Sequence, residues 1–164
     1  MISSILKKMI AASEGSLHDI DHFLRVWAYA KTIGELEQVG EEKQFILEAA
    51  ALVHDIACPS LRARYGCCDG NRQEAEGVPM ARELLEEFAL PESQLERILY
   101  LVGHHHTLTG VDGIDLQILL EADAIANLGE TGATPEKIRN TREHLFQTAS
   151  GAALLESIFC SAFL

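Results

Sequence analysis

The sequence predicts an all-α protein, and three observations carry that expectation. Apolar residues recur at the helical period in nearly every segment. No run of alternating β-branched residues occurs, and Gly, Pro and Asp collect in the gaps between periodic stretches. Ile2, Ile5, Leu6, Met9 and Ile10 set one face of a short first helix. A long second helix is expected from about Leu17 to Val39, stopped by Gly40. The third spans about Glu42 to Ala57, because Pro59 disfavours the helical conformation at Cys58. A loop from Cys58 to about Asn71 follows, carrying Gly66, Asp69 and Gly70. Helices are then expected over Glu74–Phe88 and Glu92–Val102, the latter opened by Pro91 near its first turn. His104 to Gly113 reads as a loop, Asp115–Leu128 as a helix, and Pro135 to the C-terminus as a helix broken at Gly151.

The 164 residues hold no repeat, low-complexity tract or linker, so one domain is expected over residues 1–164. Lys and Arg number 13 against 25 Asp and Glu, a formal charge of −12. Such a surface repels phosphate backbones and anionic lipid, which disfavours a nucleic-acid polymer or a membrane as partner. A small phosphate ester is still admissible at a local basic or metal site. The four cysteines (Cys58, Cys67, Cys68, Cys160) are too few for a secreted disulfide framework and include no C-x-x-C, and the Cys67–Cys68 pair is assigned to packing alone. MISSILKKMI lacks a following apolar segment of the kind that exports a chain. The apolar stretch from Gly151 to Leu164 is interrupted by Glu156 and too short to span a bilayer. A cytoplasmic protein is expected, with that stretch serving as core or as a subunit contact in a homodimer.

The informative residues are the ionisable ones on apolar faces. His22 shares a helical face with Val26, Tyr29, Ile33 and Leu36. His54 follows Leu47, Ala50 and Ala51 on one face, with Asp55 beside it at the helix end. Asp123 shares a face with Leu116, Leu119 and Leu120, and Asn127 continues that face one turn later. A buried carboxylate needs a partner or a metal. His22, His54, Asp55 and Asp123, from three helices, could therefore converge on one ion. Two imidazole nitrogens and two carboxylate oxygens suit Mn, Fe, Co, Ni or Zn, and the lack of thiolate argues against a structural zinc site. Spacing alone leaves a second reading open: two core histidines, an acid bonded to backbone or to Asn127, and an ordinary helix terminus.

Three segments, DIDHFLRVWAYA (Asp19 to Ala30), AAALVHDIA (Ala49 to Ala57) and ILLEADAIANLG (Ile118 to Gly129), resemble in this order the H…HD…D pattern of the HD-domain metal-dependent phosphohydrolases. The likeness covers about residues 17–130, with C-terminal helices completing the bundle. It implies that His22, His54, Asp55 and Asp123 ligate a divalent metal in an HD-like helical bundle that hydrolyses a small phosphate ester, a nucleotide among the candidates. Asp19 is a candidate to orient His22, and equally a solvated acid or a cap. In GHHHTLTG (Gly103 to Gly110), His104 and His105 sit where family members with two metals carry a histidine pair, and His106 reads as a bystander. The two-metal pattern also expects a His ahead of Gly77, where this chain has Arg72, Gln73 and Glu74. Glu74 could supply an oxygen ligand. The resemblance thus favours one tightly held metal per chain, with His104 and His105 as contacts to substrate or to a second metal.

Arg25 is the candidate phosphate clamp, since a guanidinium grips two oxygens at once. Arg62 and Arg64 are weaker candidates, and Glu121 is assigned a structural role. In the implied reaction a metal-activated water attacks phosphorus, Asp55 helps to take its proton, and His104 or His105 neutralises phosphate or protonates the leaving oxygen. Two other readings stand beside it: a non-catalytic metal-binding or ligand-sensing module, and a di-iron oxygenase of the same fold, against which the missing fourth-helix His argues.

Overall fold

The structure is a computed structural model, and it describes residues 1–163. The described residues contain helices and turns and no strand. In chain order the helices are α1 (Ile2–Ala12), α2 (Leu17–Leu36), α3 (Glu41–Val53), α4 (Cys58–Tyr65), α5 (Gly70–Leu85), α6 (Glu92–Val102), α7 (Gly113–Glu130), α8 (Pro135–Leu145) and α9 (Ala149–Ile158), with short 3₁₀ turns at Glu86–Phe88 and Cys160–Ala162. None is long and apolar enough to cross a membrane.

Helix α3 runs through the middle. Every residue from Ile46 to Val53 is buried, because the helix is apolar nearly all round and is covered by α1, α2, α6 and α7. The one charge in that run, Glu48, accepts from Trp27 Nε1 (2.9 Å), Gln44 Nε2 (3.0 Å) and Lys31 Nζ (3.3 Å). Helix α2 makes its most extensive packing with α3 and α7, which also pack on each other. Residues at the C-terminal end of α3 therefore emerge inside the bundle, facing α2 and α7.

Several boundaries differ from the expected ones. Helix α3 ends at Val53, and His54 to Ala57 form turns. The loop expected after Cys58 contains α4, because Pro59 sits in the first turn, where its missing N–H costs nothing and its φ suits a helix start. Gly66 ends α4 at φ +75°, a left-handed conformation that glycine adopts freely. Asp69 starts α5 earlier than expected by accepting from Arg72 N. The C-terminal break falls at Phe146–Thr148, with Thr148 capping α9, while Gly151 lies inside α9. Cys58 and Cys68 form a disulfide that ties the start of α4 to the loop before α5; Cys67 and Cys160 are free and exposed. Arg97 on α6 grips Asp115 (2.6 and 2.8 Å) and Asp112 (3.0 Å), anchoring the start of α7 and closing the histidine loop between them.

Candidate metal centre

Three helices bring their ionisable residues to one point. His22 comes from the second turn of α2, His54 and Asp55 from the turn that ends α3, and Asp123 from the middle of α7. His22 Nε2 lies 3.2 Å from Asp123 Oδ1, 3.3 Å from His54 Nε2 and 3.5 Å from Asp55 Oδ2. His54 Nε2 lies 3.6 Å from Asp55 Oδ2 and 3.7 Å from Asp123 Oδ1. Ligand atoms about 2.1 Å from one tetrahedral ion are about 3.4 Å apart, so the spread suits a shared cation.

The ring orientations point the same way. His54 Nδ1 faces Ala51 O at 2.9 Å, His105 Nδ1 faces Val102 O at 2.7 Å, and His22 Nδ1 faces both oxygens of Glu130 at 3.1 Å. Those partners only accept, so each Nδ1 carries the hydrogen, and in the neutral ring each Nε2 presents a bare lone pair to the centre. A second group adjoins the first. Asp55, His105 and His106 each offer a donor atom within 4.8 Å of the others, as do His22, His54 and Asp123. Asp55 faces both groups: its Oδ1 lies 3.3 Å from His105 Nε2. That approach is ion-pair close but lacks hydrogen-bond alignment, and both atoms are buried without a hydrogen-bond partner. Buried polar atoms left unpaired are costly, and a cation between them would satisfy both.

The electrostatics suit a dication. Burial opposes the charged form of His22, yet hydrogen bonding to Asp123 and the fields of Asp55, Asp123 and Glu130 push it up to about 9. Burial also works against the two aspartates. His54 and His105 nevertheless hold Asp55 below the usual carboxylate range, and His22 and His54 do the same for Asp123. Asp55 likewise raises His105 against its burial, whereas burial and the neighbouring His105 lower His106. The metal-free centre therefore stores protons on imidazole that a cation must displace. Because the folded value of His22 lies above its ordinary 6.5, the stabilisation it gives the metal-free protein is complete below that pH and is lost as pH rises through about 9. Metal affinity should rise over the same interval as the proton leaves. Thermal melts of metal-free protein and metal titrations across pH 6.5 to about 9 check the two opposite slopes.

The remaining residues singled out by their place in the sequence divide differently. His104 lies outside both groups: its ring stacks on Tyr100 (centroids 4.0 Å apart), its Nδ1 faces Tyr100 O at 2.7 Å, and it lines a groove between α5 and α6. His106, expected to be a bystander, belongs to the second group. Glu74 is engaged elsewhere, accepting from His106 N (2.9 Å) and Thr107 Oγ1 (3.0 Å), so it braces the loop. Asp19 pairs with Arg62 and not with His22. Arg64 pairs with Glu76 on the surface. Arg25 is half exposed and sits 3.6 Å from Glu130. Glu130 itself is not evident from sequence pattern, although it lies seven residues beyond Asp123 and so on the same helical face.

An all-helical bundle that gathers imidazoles and carboxylates in this way could hold a metal ion, and the family match makes it a metal-dependent, hydrolase-like module. The chain belongs to the HD-domain family, whose model matches residues 19–128. No curated protein and no solved structure gives a significant match. Members of this family bind divalent metals, and the two His/Asp groups described above are where this chain could hold them.

Proposed function

We propose that the protein is a phosphohydrolase acting on a small phosphate ester, with His22, His54, Asp55 and Asp123 as ligands of a tightly held divalent transition metal. The observation that carries this reading is the common orientation of the rings, each Nδ1 spent on an acceptor and each Nε2 turned to the carboxylates. A bound cation of the Mn, Fe, Co, Ni or Zn type would supply Lewis acidity toward a phosphoryl oxygen and lower the pKa of a water. While no second cation occupies its Oδ1, which has no hydrogen bond, Asp55 takes the proton of an attacking water in this reading. While its Nε2 holds no second cation, His105, raised by that same aspartate, neutralises phosphate charge or hands a proton to the leaving oxygen. Arg25, at the half-exposed rim and steadied by Glu130, grips the outer phosphate oxygens. A weaker second cation belongs to Asp55, His105 and His106.

Glu130 is the positioning residue of this site. It fixes the His22 tautomer and makes that imidazole a better donor. Glu130→Ala is expected to weaken metal binding by about 10- to 100-fold with little change in helix content, and Glu130→Gln, which keeps an accepting oxygen, by less. Isothermal titration of the metal into metal-free protein measures it.

Turnover of nucleotides, sugar phosphates and a generic phosphodiester, with Mn, Co and Ni supplied in turn, tests the reaction. Release of phosphate or alcohol by the loaded protein, absent in a His54→Ala variant, is the expected result. Stoichiometric metal without turnover on any of these would favour a ligand-sensing module instead. Two donor groups sharing Asp55 also suit a di-iron oxygenase, which iron content with substrate-dependent oxygen consumption would reveal.

A further inference from the structure

The Cys58–Cys68 disulfide lies against the second donor group through one side chain. Gln73, in the first turn of α5, is buried, and its Nε2 sits 3.1 Å from Cys58 Sγ, 2.8 Å from Cys68 Sγ and 3.4 Å from Cys68 O. At its other end, Gln73 Oε1 accepts from His106 Nε2. A disulfide has no hydrogen to donate, and neither has a carbonyl oxygen. All three acceptors therefore require the NH₂ end of the amide, and its oxygen is turned onto the histidine.

We propose that Cys58–Cys68 is a redox modification site whose oxidised form holds Gln73 Oε1 against His106 and so completes the second cation site. This rests on the reading of Asp55, His105 and His106 as cation ligands. Reduction by a dithiol proceeds by exchange. One thiolate of the reagent attacks the sulfur of Cys68, the less buried of the two residues, and the S–S bond breaks with Cys58 leaving and taking up a proton. The second thiol of the reagent then displaces Cys68, so the reagent becomes a cyclic disulfide and the protein gains two thiols. Two of the three acceptors around the amide have gained an S–H that can donate to its oxygen as well as accept weakly from its NH₂, and the tether between α4 and the loop before α5 is gone. The amide is free to turn and present NH₂ to His106 Nε2, which would move that ring's hydrogen to Nδ1 and remove the lone pair it offers to a cation.

The test uses the full chain and Co²⁺ as probe. Alkylation with mass readout should count two free thiols before dithiol treatment, Cys67 and Cys160, and four afterwards. With the reagent removed under anaerobic conditions, titration should show the first equivalent of Co²⁺ unchanged and the second weakened by about 10-fold or more. The Cys58→Ser/Cys68→Ser variant, which has no thiol there to bind Co²⁺ itself, should behave as the reduced protein. Gln73→Ala should bind the second equivalent weakly in both redox states. Equal second-equivalent affinity in the oxidised and reduced chains would overturn the redox link alone. No second equivalent in either state would overturn the cation reading of the trio, and this inference with it. Four reactive thiols in protein purified without reductant would remove the disulfide and end the argument.

Discussion

Asp55→Ala is expected to purify essentially without metal, its content by elemental mass spectrometry falling from about one ion per chain or more to below about a tenth. The reason is its position. Among the described residues Asp55 alone faces both donor groups, with Oδ2 3.5 and 3.6 Å from His22 and His54 and Oδ1 3.3 Å from His105. Removing any other ligand disturbs one group. Removing Asp55 takes an anion from both. Two neutral imidazoles and Asp123 would be left to offset a dication with one negative charge, in a setting where burial already penalises net charge. The fold should survive, because the Asp55 side chain is one-fifth exposed and makes no hydrogen bond that holds α3 in place. An unchanged circular dichroism spectrum with full metal content would reject the site. Unchanged content in His104→Ala, by contrast, is what the geometry expects, since that ring is stacked on Tyr100.

How far the site could be read from sequence follows from what a period encodes. Helical periodicity reports which side of a helix is buried, so it found His22, His54 and Asp123 on apolar faces, and those three do meet. Asp55 needed only its neighbour. Periodicity is silent in a turn, where each residue leaves the backbone in its own direction. His104, His105 and His106 are adjacent, and only the turns after α6 decide that the first faces Tyr100 while the second points inward. Glu130 was missed for another reason. An acid at a helix end is ordinary, and its spacing from Asp123 acquires meaning only when α2 is known to cross there. Asp19 had the better sequence claim on His22, yet Arg62 takes it, brought alongside by a helix hidden behind Pro59. The disulfide likewise depends on α4, since Cys58 and Cys68 come together only once the chain between them has coiled.

Glu121→Ala is expected to cost about 2–5 kcal/mol, lowering the melting temperature by roughly 10 °C, although no metal ligand is touched. Glu121 is two residues from Asp123 on α7 but points to the opposite side, where it is fully buried. Its Oε1 accepts from Gln117 Nε2 (2.8 Å), Gln147 N (2.7 Å) and Thr148 N (2.9 Å), and its Oε2 from Thr148 Oγ1. A carboxylate is thus satisfied by the two backbone N–H groups that lead into α9, where the positive end of the helix dipole also favours it. Truncation leaves the Thr148 N–H and hydroxyl buried without this acceptor and opens a cavity between α7 and α9. Glu121→Gln should cost about 1–2 kcal/mol, because one oxygen still accepts while the new NH₂ opposes the Thr148 hydroxyl. Gly151→Ala probes the same contact from the other helix. A β-carbon there would overlap Glu121 Oε2 and come within 2.7 Å of Thr148 Oγ1, so α9 must shift or the carboxylate must let go. If chemical denaturation shows Glu121→Ala within about 1 kcal/mol of the parent protein, the buried cap does not hold α9 to the bundle. If it shows the full loss with metal content unchanged, the two acids of the E-A-D segment divide cleanly, one fastening the helices and the other serving the centre between them.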